Sequence, residues 1–481
     1  MADERMHGMS APDLDPELMN RFRRSGAENH VTLLIGAGAS TGSGLPNWRE
    51  LARRLLLESS SVESGEAADL LLQHQDELLA AEAAKARLGV DWGSVVRRVL
   101  YQGPPTQTPS ALHRAVVGYA LSGDSEDTTL LTLNFDTLLE SAFHHEGENE
   151  AKAVATDNHK ESLPVYHLHG IVDRRCAPEG LALTLSDFNE LIGAPDTWQL
   201  RVLKECVRKG ALLIAGTSYR DPDLRHWLHE ALREQPQGHE AIVLLAREAF
   251  GLSRADFATV RDALEDQWRA VGLEPVIVEE FTDAGQILRE LRHIDAPSYL
   301  SPQERAQSLW AAHERSFGDL QKQYAEQLSK ESGQLKQLFG AERLNLSLWL
   351  AEGDGNLVRW ASQDRIYCDP TQLRRVPSGH DSPWIAGRVL GADDTRFQDL
   401  PEGGPGRWGT VLATPIRVEI RGLPYIAAAV LSVGLPGKAE DYVGVEGLWG
   451  EEILDIANDW SRRLGSADEI AECSTLDTER E

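Results

Sequence analysis

The sequence predicts an α/β chain in two parts: a parallel sheet covered by helices over residues 1–300, then a smaller α+β domain over 341–466. Three observations carry that reading. The first part alternates short aliphatic runs with longer amphipathic segments, the grammar of strands joined by helices. The second part switches to strands paired through tight turns. Between them, apolar residues recur at helical spacing. A chain of 481 residues is also too long for one compact core, so two or three domains are expected.

The lead-in, "MADERMHGMSAPDLDPELMN", is polar and has no apolar signal core. Six aliphatic runs follow: "VTLLIG" (31–36), "TTLLTLN" (128–134), "VYHLHG" (165–170), "ALLIAG" (211–216), "AIVLLA" (241–246) and "EPVIVEE" (274–280). Their lack of polar alternation predicts strands buried on both faces. "PNWRELARRLLLE" predicts a helix that starts near Pro46 and puts Trp48, Leu51, Ala52, Leu55 and Leu56 on one face. The stretch from about 58 to 125 is rich in leucine and alanine and reads as a helical insertion. Over 301–340, Trp310, Phe317, Leu320, Tyr324 and Leu328 form one apolar helical stripe. That helix links the two parts, either packing on a neighbouring domain or pairing in a dimeric coiled coil.

From 341 the pattern changes. "LNLSLWLAEGDGNLVRWAS" is a hairpin around Gly-Asp-Gly, "GTVLATPIRVEIRGLPYIAAAVLSVG" predicts two strands around "RGLP", and "GLWGEEILDIANDWSRRL" is a closing helix. Residues 467–481 are acidic and expected to be disordered.

Composition limits the function. A formal net charge of −28 repels phosphate backbones and anionic lipids, which argues against nucleic acid or membrane as partner. No stretch approaches the ~20 apolar residues of a membrane span. Cys176, Cys206, Cys368 and Cys473 form no CxxC or Cys/His pair, so neither a zinc ribbon nor a disulfide framework is expected, and a reducing cytoplasm fits.

The chemistry gathers at strand ends. In "VTLLIGAGASTGSGLPNWRE", Gly36 and Gly38 follow a strand, so backbone N–H groups can meet a phosphate without a Cβ in the way. The dinucleotide fingerprint of dehydrogenases needs a third glycine where Thr41 stands, and an acid about 20 residues on that is absent. The turn belongs to some other pattern.

GAGAS followed by GLPNWRE resembles the sirtuin (silent information regulator) family, whose fingerprint is GAGxS followed by G-I-P-D-F-R. "LNFD" (133–136), "HLHG" (167–170) and "AGTS" (215–218) are similar to that family's N-x-D, His-Gly and late G-T-S segments, in the same order. The resemblance implies a Rossmann-like NAD-binding domain over 1–300. Gly36, Ala37, Gly38, Ala39, Ser40, Gly216, Thr217 and Ser218 would then hold the substrate NAD. Asn134 would position the water or the nicotinamide ribose, Asp136 would help hold nicotinamide, and His169 would contact the ribose hydroxyls and act as base. Asp136 has the alternative of capping the next helix, and Trp48 that of a helix-face core residue instead of a shield for the cation. His167, on the same strand face as His169 by alternation, reads as structural. Asp221 and Pro222 read as an N-cap and first helical position.

One departure from the family is informative. Protein-deacylating sirtuins carry two zinc-binding CxxC pairs, and this chain has a helical segment instead. That pattern resembles the bacterial sirtuin-like effectors that hydrolyse NAD outright, including those in anti-phage defence. It implies an NAD glycohydrolase that needs no metal. The alternatives are an NAD-dependent deacylase or ADP-ribosyltransferase, and a non-catalytic NAD or ADP-ribose sensor. The order of elements around "SPWIAGRVL", "GTVLATPI", "LPYIAAAVLSV" and the closing helix resembles a GAF domain. It implies a sensory module that takes a small-molecule or protein activator, in a homo-oligomer.

Overall fold

The computed structural model describes residues 16–23, 30–103, 107–123, 127–148, 151–194, 196–217, 222–401, 408–420, 422–443 and 446–478. It divides into an N-terminal unit, Pro16–Leu288, and a C-terminal unit from Arg289 onward.

The N-terminal unit is built on seven strands: β1 (Val31–Ile35), β2 (Thr128–Thr132), β3 (Ala151–Val154), β4 (Leu163–His167), β5 (Ala211–Ala215), β6 (Ala241–Ala246) and β7 (Glu274–Val278). They lie in the order β3-β4-β2-β1-β5-β6-β7, and every neighbouring pair is parallel. Helices therefore cross both faces, which is why every residue of β1, β5 and β6 is buried and why those runs carry no polar alternation. The chain leaves β1 toward β2 on one side and later returns to β5 on the other. The connections after β1 and β5 thus run to opposite sides of the sheet, which makes the carboxyl ends of these two strands its switch point, the place where such sheets take ligands.

The structure adds a strand to the six aliphatic runs. β3, "AKAV", is an edge strand with exposed Lys152, and a partly solvated edge needs no continuous aliphatic run. Strand β4 also ends earlier than "VYHLHG" suggests, at His167, and Leu168–His169 turn away. His167 and His169 are therefore not alternate residues of one strand face.

Between β1 and β2 come helices Trp48–Glu58, Gly65–His74, Glu77–Leu88, Trp92–Leu100 and Ala111–Leu121. Asn47, Ser64, Asp76 and Ser110 accept backbone N–H bonds at four of their N-termini. Leu51, Leu55, Ala81, Val95, Val96 and Val99 pack with Val172 and Leu183, so this helical layer shares a core with the loop that follows β4.

The C-terminal unit is a six-stranded antiparallel sheet: β8 (Asn345–Ala351), β9 (Asn356–Ser362), β10 (Arg375–Pro377), β11 (Arg396–Asp399), β12 (Thr410–Val418) and β13 (Ile426–Leu435), ordered β10-β9-β8-β13-β12-β11. Alternation sorts its side chains. Leu346, Leu348 and Leu350 of β8 face one core, while Trp349 and Ala351 face a second core that contains helix Ile385–Ala392. The expected linker helix is two helices, Pro302–Arg315 and Phe317–Leu338, separated at Ser316. Leu309, Phe317, Tyr324, Leu328 and Leu335 join the first core, so the apolar stripe is buried against its own sheet. The closing helix, Glu446–Thr478, continues through residues 467–478, where the acidic tail was expected to be disordered; alanine and glutamate there favour helix. No helix of the described residues is long and apolar enough to cross a membrane.

Candidate functional site

The turn after β1 is pressed against the end of β5. Gly36 N–H donates to the Ala215 carbonyl and Gly38 N–H to the Gly216 carbonyl, each at 2.8 Å. A Cβ on Gly36 would lie 2.5 Å from the Gly216 carbonyl oxygen, and Gly216 has φ +74°. Glycine is thus required at both positions by backbone meeting backbone. Ala37 is exposed at the tip, Gly38 is half-buried, and Gly38–Thr41 form a single helical turn with Ala39 and Ser40 buried. Thr217 is half-buried beside Gly216, while Ser218 lies outside the described residues, as does Asp221.

Ser40 connects this cradle to the end of β2. Asn134 Nδ2 donates to Ser40 Oγ at 2.8 Å, and the Ser40 hydroxyl bonds the Asp136 carboxylate. His113, in the helical insertion, meets Ser40 Oγ through Nε2 at 3.5 Å. Its Nδ1 accepts the Ser110 N–H at 3.1 Å, so the ring proton sits on Nε2 and points at Ser40. Burial, with Arg114 nearby, pushes the His113 pKa down to about 3 and keeps the ring neutral.

Asn134 is 6% exposed and fixed on most sides: its N–H donates to Thr132 Oγ1 at 3.0 Å, and its carbonyl meets His167 Nδ1 at 2.8 Å. Its carboxamide oxygen, however, is buried with no hydrogen-bond partner among the described residues. An unmatched acceptor of this kind costs stability unless a water or ligand meets it. Asp136 does cap the next helix, since Oδ1 accepts the Leu138 N–H at 3.1 Å, yet it also bonds Ser40. Burial raises its pKa against the opposing pull of Ser40, the Leu138 N–H and His167.

His169 stands in the turn after β4, with Nε2 2.8 Å from Asp223 Oδ2. Both are buried. Asp223 comes from helix Pro222–Leu232, and its other oxygen accepts the Leu224 N–H at 2.8 Å. The carboxylate accepts a ring proton from Nε2 and orients the imidazole. The ring is surrounded by Phe188, Trp227 and Phe135 at centroid distances of 5.2, 5.9 and 6.3 Å. Gly170 has φ +97°, and a Cβ there would lie 2.4 Å from the Gly180 carbonyl oxygen, so a glycine must follow His169. Trp48 is half-buried, packs on the helical-layer core and lies 6.4 Å from Phe135.

The structure therefore gathers Gly36, Gly38, Ser40, Asn134, Asp136 and Gly216 at the switch point, and the Phe135 ring connects that group to His169. Sequence reasoning missed Asp223, His113 and Glu140. Asp223 lies one residue past the Asp221-Pro222 pair and meets His169 only through a contact 54 positions away, so periodicity offers no signal for it. Ser110 preceding His113 by three residues was a legible capping signal.

Residues 128–276 match the family model described as SIR2-like domain. That segment begins with β2 and ends within β7, so the cradle after β1 precedes it. The chain is 23% identical over 291 residues to NAD(+) hydrolase ThsA of Acinetobacter baumannii, covering 57% of this chain and 55% of that protein. It thus spans about half the length of the curated relative it matches. Among solved structures, it aligns with one described in a study of the mechanism and regulation of Sir2 enzymes, at 15% identity over 58% of this chain and 95% of the other, with a TM-score of 0.29. A Sir2 complex with the inhibitor EX-527 aligns at 14% identity over 58% and 100%, also with a TM-score of 0.29.

Proposed function

We propose that the N-terminal unit is an NAD glycohydrolase, cleaving the nicotinamide–ribose bond to give nicotinamide and ADP-ribose. One observation carries the reading: the buried, unpartnered carboxamide oxygen of Asn134, in the same polar network as the glycine cradle and beside the segment that reaches His169. The name of the relative, an NAD(+) hydrolase, supports the choice of bond.

The bond to be broken has a cationic leaving group, so its transition state is close to an oxocarbenium ion and asks little beyond positioning. Gly36, Gly38 and Gly216 let the turn after β1 close onto the end of β5, and Ala37–Ser40 line the diphosphate. Asn134 Oδ1 accepts a hydrogen bond from the attacking water and aims its oxygen at the ribose carbon. The carbon–nitrogen electron pair leaves with the nicotinamide ring, and the water proton passes to the His169 imidazole, with Asp223 stabilising the imidazolium. Asp136 holds the nicotinamide amide, and Trp48 with Phe135 shields the cation from stray water. Thr217 and Ser218 complete the ribose and phosphate contacts.

The C-terminal unit, GAF-like in its element order, gates this activity in response to a small-molecule or protein activator, and the protein works as a homo-oligomer in the cytoplasm, as a bacterial anti-phage effector. Unchecked hydrolysis would drain the cell of NAD, so basal turnover is low. The test is purified protein with NAD, followed for nicotinamide and ADP-ribose with and without an acylated peptide. Release without the peptide, lost in Asn134→Ala and His169→Ala, supports hydrolysis. Release only with the peptide overturns it in favour of transfer. NAD binding without turnover, under every candidate activator, overturns it in favour of a sensor.

A further inference from the structure

Strand β4 ends in a histidine that the proposed chemistry does not use. His167 is fully buried and engaged at both ring nitrogens. Nδ1 lies 2.8 Å from the main-chain carbonyl of Asn134, and Nε2 lies 2.9 Å from Glu140 Oε1. A carbonyl oxygen can only accept, so Nδ1 carries a proton. A second proton is shared between Nε2 and the Glu140 carboxyl group, and when it sits on the ring both partners are charged. Glu140 belongs to helix Leu138–His145, which starts four residues after Asn134. Among the described residues its other oxygen is buried without a hydrogen-bond partner, and its side-chain bond is the one to His167.

We propose that His167 and Glu140 are a positioning pair for Asn134, in which an imidazolium secured by Glu140 grips the Asn134 main-chain carbonyl and so sets the direction of its carboxamide oxygen. The inference rests on the reading of Asn134 as the residue that orients the water. Three of the four polar groups of Asn134 are tied down, by Thr132, Ser40 and His167, and the fourth is the oxygen left for the water. Small errors in such an oxygen are expensive in rate, because catalysis by positioning depends on near-attack geometry. Stability alone is a poor explanation for the pair, since a buried ion pair is commonly no better than apolar residues of the same volume.

The electrostatics agree. Burial opposes charge on His167, but the Glu140 carboxylate, the hydrogen bonds to Glu140 and the Asn134 carbonyl, and the Asp136 carboxylate outweigh it and raise the pKa. Asp136 is itself pushed up by burial, so Glu140 is the principal counter-charge.

The test uses the full chain labelled with ¹⁵N at histidine rings and asparagine amides. Glu140→Gln keeps the shape and the hydrogen bond but removes the charge; His167→Phe removes the donor. At neutral pH the His167 ring should show both nitrogens protonated, and only one in Glu140→Gln. Nicotinamide release should fall about 10- to 100-fold in kcat in His167→Phe, with KM for NAD within about twofold. Glu140→Gln should fall less at low pH, and its alkaline loss of kcat should begin at lower pH than in the parent. Should His167→Phe not fold, Glu140→Gln decides alone. A neutral His167 ring in the parent, or a folded Glu140→Gln with unchanged kcat and pH profile, overturns the pairing. The Asn134 side-chain amide signal needs no turnover and separates the two readings: if the parent is inactive but that signal shifts in Glu140→Gln, the hydrolase reading fails and the pairing stands. If the signal does not shift, the pairing fails.

Discussion

His167 and His169 are two residues apart, and each bonds a buried carboxylate through Nε2 at nearly the same distance, 2.9 Å to Glu140 and 2.8 Å to Asp223. What differs is where each ring stands. His167 is the last residue of β4, inside the sheet layer, with its other nitrogen on a main-chain carbonyl. His169 lies past the end of the strand, among three aromatic rings at the edge where Asn134 and the glycine turn converge. A histidine paired with a carboxylate thus makes a fixed support in one place and a candidate base in the other, and the end of the strand decides which.

The largest effect expected from breaking this contrast is at His169. Removing a general base costs on the order of 10²- to 10⁴-fold in rate, so His169→Ala should all but abolish nicotinamide release while calorimetry still detects NAD binding. Asp223→Asn should come next: without the carboxylate the ring loses its fixed tautomer, and kcat should drop by about 10- to 100-fold with little change in KM. A decrease no larger than twofold would show that His169 does not depend on Asp223.

The third effect is on stability and binding together. Gly36→Ala places a Cβ 2.5 Å from the Gly216 carbonyl oxygen, with backbone on both sides and nothing soft to move. Denaturant unfolding should show a loss of about 1–3 kcal/mol, with weakened NAD affinity. Gly44→Ala is the comparison: Gly44 has φ +79° with open space around it, so alanine there should cost about 1–2 kcal/mol through backbone strain alone and leave affinity unchanged.

The smallest effects separate the histidines by pH. His113 has a folded pKa near 3, below its unfolded value, so unfolding takes up a proton below about pH 6.5. Stability should fall on acidification through that window by up to about 1.4 kcal/mol per pH unit, and His113→Gln should flatten the slope. His167 has the opposite sign. Its folded pKa is raised, so its contribution is full below the unfolded pKa and fades as pH rises through the folded one. The difference in thermal midpoint between the parent and Glu140→Gln should therefore be greatest in mild acid and shrink in alkali.

Much of this arrangement was legible before any coordinates. Strands β1, β5 and β6 announce themselves because strands buried on both faces must be aliphatic throughout, and the hairpin around Gly353 and Gly355 follows from its turn residues. β3 was hidden because four residues at a sheet edge carry no such pattern. The apolar stripe from Trp310 to Leu328 was visible as a helix, but its break at Ser316 and its burial against β8 and β9 were not. A stripe records that a face is covered and does not record by what.

The sequence by itself determined the α/β class, the glycine turn, and the candidacy of Asn134 and His169, because local periodicity and strand-end motifs are written in neighbouring residues. Only the tertiary structure decided that Asp223 and Glu140 serve different histidines, that Ser40 joins Asn134 to His113, and that the Asn134 carboxamide oxygen has no partner among the described residues. Hydrogen bonds between residues 27 to 94 positions apart leave no periodic trace in the chain, and they exist only where the fold brings the ends of separate strands together.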